Sequence, residues 1–478
     1  MVTTAAFSSR EPASSGDFPL VAGLFASLCA VLASSGCPVA PGETNNNNVP
    51  LPTCGNGTLE PPEQCEGADL NGETCQSRGF GGGELSCANC WLDTSGCNAC
   101  GNDLCDPDET RATCPADCGV KTIAAGSDYT CAALGDGSAW CWGNNTYGAL
   151  GDGTTQSSSL PVQVSELNDV SNISVASTHA CALLDDGSVW CWGKNDNDQL
   201  GYEGPGYSAS PVKVAAIVGA AEVACGAWHT CVRLDSGSAK CWGSNASGAL
   251  GDGNMGLNSA SPVGVSGLTS VTSIASGAGH TCATVDDGTI WCWGSNSAGE
   301  LGNGQPSLEN SDVPVQVVNI TNSFGLGRNS GVGANCALLS DLTLWCWGGN
   351  EFGNLGDGTY ENVRPAPVQV EGLSNVPMAT LGTTHSCAAL GNGAAYCWGV
   401  MSTVAQYGQL GTGTNSGSEL PVEVVDLEDV RTISAGGYST CAALRDGSAY
   451  CWGLNYSGQL GVGDLPESSA VPLEVVFP

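Results

Sequence analysis

From residue 120 onward the apolar residues come in short runs bounded by turn-forming clusters, the pattern of strands joined by tight turns. The stretch Cys131-Ala-Ala-Leu-Gly-Asp-Gly-Ser-Ala-Trp-Cys141 shows the unit. A three-residue loop centred on Asp136 suits it, with Gly137 in the left-handed conformation of a type I turn and G1 bulge. Counting outward from that loop, Ser138 opposes Leu134 and Cys141 falls opposite Cys131, so the two sulfurs meet across a hairpin. Gly137, Gly187, Gly237, Gly288, Gly393 and Gly447 hold the third turn position in six repeats. Leu342 stands there in the fifth, which predicts a different turn in that blade.

The unit recurs seven times, with cysteine pairs at Cys131 and Cys141, Cys181 and Cys191, Cys231 and Cys241, Cys282 and Cys292, Cys336 and Cys346, Cys387 and Cys397, and Cys441 and Cys451. Successive first cysteines are 50, 50, 51, 54, 51 and 54 residues apart. Such a period belongs to propeller blades. Each second cysteine is followed by Trp-Gly, and strand alternation puts that Trp on the face opposite the sulfur. The disulfide then faces one neighbouring blade and the indole the other. A turn-rich stretch and a strand such as Pro161-Val-Gln-Val164 complete about four strands per repeat. The expected fold is all-β, a seven-bladed β-propeller preceded by small disulfide-rich modules. Pairing of Leu473 to Phe477 with Lys121 to Ile123 would close the ring and remove its edges.

Before the repeats the pattern changes. Phe18 to Ala33 is an apolar run followed by small residues and Cys37, which reads as a signal peptide over 1–36. Cys37 resembles the lipidated cysteine of bacterial lipoproteins. Residues 37–53 are Pro-rich, carry four consecutive asparagines and read as a tether. Residues 54–99 and 100–119 hold six and four cysteines with few large aliphatics, two modules in which disulfides replace a core. Cys87, Cys90, Cys97 and Cys100 form two C-x2-C pairs, but only six residues separate the pairs, too few for a zinc ribbon. Residues 120–478 are the propeller.

Composition narrows the setting. The chain carries 27 cysteines, which at regular spacing survive as disulfides outside a reducing cytosol. The expectation is an extracytoplasmic protein, anchored at the outer membrane through Cys37 or secreted. Asp and Glu number 47 against 12 Lys and Arg, a net charge of -35. Phosphate recognition needs clustered cations, so nucleic acid is excluded as a partner, and a membrane is met only through an N-terminal lipid.

The period, Gly277-Ala-Gly-His280 ahead of Cys282, the Asp-Gly turn and Gly408-Gln-Leu-Gly411 together resemble the regulator of chromosome condensation family, as found in secreted bacterial relatives. The resemblance covers about residues 120–478. It implies the propeller fold and a protein partner met at one end of the ring. It also admits a guanine-nucleotide exchange factor for a small GTPase, although the acidic, stapled chain has no basic arm.

Candidate chemistry is sparse. All four histidines, His179, His229, His280 and His385, occupy one repeat slot and read as scaffold. Thr284 to Trp291 has the Asp-box spacing of sialidase propellers, but a sialidase needs clustered arginines, and Arg233, Arg328, Arg364, Arg431 and Arg445 mostly fall outside equivalent slots. Asp196-Asn-Asp198 and Asp103 to Glu109 read as solvated acidic loops rather than calcium sites. Cys225, unpaired, reads as a small buried filler. The reading is a monomeric, non-enzymatic binding scaffold without catalytic residue, cofactor or metal; the alternatives are the exchange factor and a carbohydrate-binding or glycan-hydrolysing propeller. Recognition is expected from four insertions: Glu203 to Ser208, Asn254 to Asn258, Gln305 to Asp312 and Met401 to Gln406.

Overall fold

Each of the seven repeats folds as an antiparallel sheet of four strands in sequence order, the sixth sheet gaining a fifth, parallel strand, Arg328–Asn329, from the fifth repeat, and the sheets stand around a common axis. The computed structural model describes residues 59, 63–66, 68–75, 82, 83, 85–88, 90–94, 96–98, 104–106, 109–305, 307–329, 333–400, 406–463 and 466–478. The expected leader, tether and Cys37, with Cys54 and Cys100, lie outside these residues. No helix among the described residues is long and apolar enough to cross a membrane.

Two compact units divide the chain, Met1–Arg78 with Glu84–Cys97, and Gly79–Gly83 with Asn98–Pro478. In the first, a hairpin of Ser86–Ala88 and Trp91–Asp93 is stapled by Cys65–Cys87 and Cys75–Cys97. Cys90 is also disulfide-bonded, so three of the four C-x2-C cysteines offer no thiolate to a metal.

In the second unit the inner strands are Val120–Ala125, Val170–Val175, Ala220–Cys225, Val271–Ser276, Ser323–Leu326, Met378–Leu381 and Val430–Ala435. In every blade the two cysteines are direct cross-strand partners, with Cα atoms 4.0 to 4.1 Å apart and the sulfurs bonded. The close spacing is that of a non-hydrogen-bonded antiparallel pair, where side chains approach most nearly.

Blade packing follows the alternation of the third strand. Seven apolar clusters occupy the seven junctions, each joining the disulfide of one blade to the Trp of the next. Cys131 and Cys141 meet Trp192, and so on round to Cys441 and Cys451, which meet Trp142. All seven of these indoles are fully buried.

The seam closes differently from the expectation of paired ends. Ser468–Glu474 stays in the seventh blade beside Ala449–Leu454, and Val120–Ala125 pairs with Tyr129–Leu134 in the first. Each repeat supplies a whole blade, so no strand is left to cross the seam. Instead the inner strands of the last and first blades pack together. Val120 N–H donates to Gly447 O at 2.8 Å, and Ala125 N–H to Ser434 Oγ at 2.9 Å. The second cysteine-rich segment, expected as a separate module, belongs to this same unit. Its Arg111 donates to Pro478 O at 2.7 Å and lies 4.8 Å from the Phe477 ring centre. A short helix, Pro115–Cys118, leads from it into the first blade.

The fifth-blade turn also departs from expectation, because it is the same turn as in the other blades. Leu342 adopts φ +63°, and its N–H reaches Leu339 O at 2.8 Å just as Gly137 N–H reaches Leu134 O at 3.1 Å. Asp341 accepts from both Thr343 N–H and its hydroxyl, and Val376 N–H donates to Leu342 O, so the surroundings impose the turn on an unfavourable residue. A left-handed L-residue costs about 1–2 kcal/mol. Leu342 is 38% exposed, so truncation also gives up the burial of the rest of its side chain, about 1–2 kcal/mol and similar in size to the strain relieved. Leu342→Gly is therefore expected to leave stability within about 1 kcal/mol of wild type, seen as a nearly unchanged urea midpoint; a loss of about 2 kcal/mol or more, the usual cost of truncating a leucine, would contradict this.

Candidate binding end of the ring

Because the four strands of a blade alternate in direction, the first-to-second and third-to-fourth connections emerge at one end of the ring. In the first blade this is fixed by Gly143, at the end of the third strand, standing opposite Tyr129 at the start of the second. The Asp-Gly turns and the blade-to-blade connections emerge at the other end.

An asparagine three residues after the Trp holds the long third-to-fourth connection. Asn145 Oδ1 accepts Leu150 N–H at 2.9 Å, while its Nδ2 donates to Asp152 Oδ1, Thr154 O and Gln156 O. Asn195, Asn245, Asn296, Asn350 and Asn455 accept the corresponding leucine N–H at 3.0 Å. Sequence reading passed over this residue, although its spacing from Trp-Gly is constant in six repeats. Each indole N–H also reaches back to the same connection of the preceding blade, as Trp142 Nε1 does to Gln459 O at 2.9 Å and Trp452 Nε1 to Gln409 O at 3.0 Å. This contact explains the second glycine of Gly408-Gln-Leu-Gly411: a Cβ on Gly411 would lie 2.8 Å from Trp452 Nε1.

The histidines serve the same scaffold. Nε2 of His179, His229 and His385 meets the hydroxyl of Thr230, Thr281 and Thr440 in the next blade at 3.0, 2.8 and 2.7 Å, and His280 Nε2 meets Asn335 Oδ1 at 3.0 Å. Burial drives the pKa of His179, His229 and His385 down to about 3. Cys225 is a free buried thiol whose Sγ donates to Ser174 O at 3.4 Å in the second blade, and burial pushes its pKa up to about 12.

What remains at this end is variable. All four insertions lie between the third strand and the start of the fourth, in the second, third, fourth and sixth blades, with Tyr207, Ser208, Ser311 and Asp312 already opening a fourth strand; residues 306 and 401–405 are outside the described set. Trp228, in the turn after the third inner strand, is 52% exposed, Leu257 is 70% exposed and Tyr456 is 64% exposed. Tyr407, Tyr438 and Tyr456 form a cluster at the sixth and seventh blades, with Tyr407 centred 5.8 Å from Tyr438 and 5.9 Å from Tyr456, the planes at 80° and 75°. At the first and second blades Lys194 Nζ stands 5.0 Å from the Tyr147 ring centre.

The inner strands enclose a cavity of about 70 Å³ lined by residues including Asn172, Ser174, Glu222, Ser276, Arg328, Thr380 and Ser434. Ligand pockets for drug-sized molecules run to about 300–1,000 Å³, so this space suits water rather than a sugar or nucleotide. Glu222 accepts Ile274 N–H at 3.1 Å and lies 3.5 Å from Arg233 Nε. Burial raises its pKa, and the Ile274 N–H, Arg233 and Arg328 oppose that rise. Arg364 is occupied elsewhere, by Asp357 and Glu361. The Asp-box residues make a turn, with Asp287 accepting from Thr289 N–H and hydroxyl, and Trp291 Nε1 donating to Thr289 Oγ1. Asp136 and Ser138 repeat that arrangement below Trp140.

Comparison with known proteins agrees with the repeat geometry. The profile described as RCC1-like domain matches residues 218–477, and profiles of the regulator of chromosome condensation (RCC1) repeat match 136–183 and 186–233, and 120–149 and 170–199. The chain is 32% identical over 208 residues to the ultraviolet-B receptor UVR8 of Arabidopsis thaliana, covering 43% of this chain and 46% of that protein. It is 29% identical over 197 residues to the E3 ubiquitin-protein ligase HERC2 of Homo sapiens, covering 40% of this chain and 4% of the ligase. It thus spans less than half the length of these curated relatives. Yeast RCC1 (Prp20), solved with Kap60 bound, superposes with a TM-score of 0.62 at 18% identity, covering 76% of this chain and 86% of that one. Human WBSCR16 gives 0.62 at 22% identity, covering 72% and 94%. At these identities the likeness is one of fold.

Proposed function

This chain belongs to the RCC1-like domain family, and from that premise we propose that it is an extracytoplasmic, non-enzymatic scaffold that recognises a protein partner at the end bearing the third-to-fourth connections. The observation that carries this reading is the division of labour at that end. The indoles and histidines are committed to blade-to-blade bonds and the asparagines to bonds within their own connections, while the exposed side chains of Trp228, Leu257 and Tyr456 hydrogen-bond to no neighbouring blade among the described residues. Exposed aromatic side chains are the usual anchors of protein interfaces. Protein binding is on record within the fold: a yeast RCC1 has been solved with Kap60 bound, and Prp20p has been described for its binding to Gsp1p and histones. Seven blade disulfides suit an oxidising compartment, which supports export and, at Cys37, a lipid anchor.

The test is a photo-crosslinking residue placed at Trp228, Leu257 or Tyr456, with Val218 and Val476 at the opposite end as controls, in the native cell envelope. Protein adducts of one mass from the first three positions and none from the controls are expected. Adducts confined to the controls would overturn the assignment. The same exposed rings favour one second reading, glycan stacking, and a glycan array with Trp228→Ala as comparison separates the two.

A further inference from the structure

We propose that the junction of the sixth and seventh blades receives one cationic side chain, a lysine ammonium or arginine guanidinium, from a basic segment of the partner protein. This rests on the binding end being the docking end, and names what docks there.

The repeat supplies its own precedent. Tyr147 and Tyr407 hold the same slot, each just before a glycine of positive φ that lies against the outer strand of the next blade, Gly148 on Ala209 and Gly408 on Ala470. At the first junction the ring face of Tyr147 is occupied by the Lys194 ammonium at 5.0 Å, which Asp196 holds at 3.2 Å. At the sixth, the equivalent of Lys194 is the buried Leu454, and Tyr438 and Tyr456 stand around Tyr407 instead. Among the described residues no lysine or arginine stands over these three rings. The neighbouring sequence 401–405, Met-Ser-Thr-Val-Ala, contributes no cation either. Tyr407 meets each of the other two rings edge to face, and Tyr456, 64% exposed, keeps ring surface open to solvent, where the negative face of an aromatic ring attracts a cation. The net charge of -35 draws such a segment toward the ring.

The experiment titrates the full chain, at physiological salt, with an acetylated and amidated ten-residue peptide of alternating Lys and Ala, read by calorimetry. Binding is expected to weaken about five- to thirtyfold in Tyr438→Leu/Tyr456→Leu, in line with one or two cation–π contacts. The Phe double variant, which keeps both rings, should bind as wild type, and a Gln-Ala peptide should not bind. Equal binding of the Lys peptide by wild type and the Leu variant would overturn the proposal, as would binding of phosphatidylcholine vesicles in place of the peptide. If the Leu variant keeps peptide binding while crosslinks from Trp228 and Leu257 persist, the cation site falls and the binding end stands; loss of those crosslinks from wild type removes both.

Discussion

Trp142→Ala is expected to destabilise the propeller by about 3–5 kcal/mol, the usual cost of deleting a large buried aromatic. Trp142 is fully buried at the seam between the last and first blades, where no strand crosses. Its ring meets Phe477 edge-on at 5.8 Å and covers the Cys441–Cys451 disulfide. The lost indole N–H is a smaller part of the effect, because Gln459 O keeps a second donor, the Thr130 hydroxyl at 3.0 Å. The cost is therefore mainly a cavity at a junction held by face packing and single hydrogen bonds rather than by a shared strand. Urea unfolding should show it, with Trp142→Phe recovering most of the loss and Trp140→Ala, only partly buried, costing less. A Trp142→Ala midpoint equal to wild type would mean that the seam contributes little to the ring.

The second large effect is acid lability. His179, His229 and His385 are neutral in the fold, with pKa values lowered to about 3, whereas the unfolded chain binds protons near the ordinary value of 6.5. Depressed folded values mean that the unfolded state binds more protons between those limits. Stability is then full above pH 6.5 and falls as the pH drops toward 3, by about 1.4 kcal/mol per unit for each histidine once below the unfolded pKa. Acid also neutralises carboxylates and relieves the self-repulsion of a chain of charge -35, which acts in the opposite direction. The informative quantity is a difference: a triple His→Gln variant should lose less stability from pH 6.5 to 4 than wild type. Parallel pH profiles for the two would refute the assignment of acid sensitivity to this slot.

What was legible in the sequence was whatever is decided within one hairpin. The distance from Cys131 to Cys141 sets their register through an eleven-residue stretch, and the alternation that follows sends Trp142 to the other face without reference to any distant residue. The features that escaped are decided by contacts across the ring. The turn at Leu342 is imposed by Val376 and its own flanking Asp and Thr against local preference. The seam joins residues more than 300 positions apart, and the docking of Arg111 on Phe477 leaves no periodic trace. The asparagine of the third-to-fourth connection was visible in its spacing, but its polarity reads as loop composition until its bonds are seen. The site was legible only in part: the insertions were found as departures from the period, whereas the tyrosine cluster draws its three rings from two blades and shows no motif.

The blade disulfides also divide the chain into two kinds of length. Each closes a hairpin of ten residue steps whose ends lie 4.0 to 4.1 Å apart, so a chain drawn out from its ends forfeits about 30 Å of reach per blade. Blades pulled from the ring therefore retain their central hairpins as knots of fixed size, and full extension waits on a reductant. Under tension the oxidised propeller behaves as a string of seven short stops rather than as an unravelling thread.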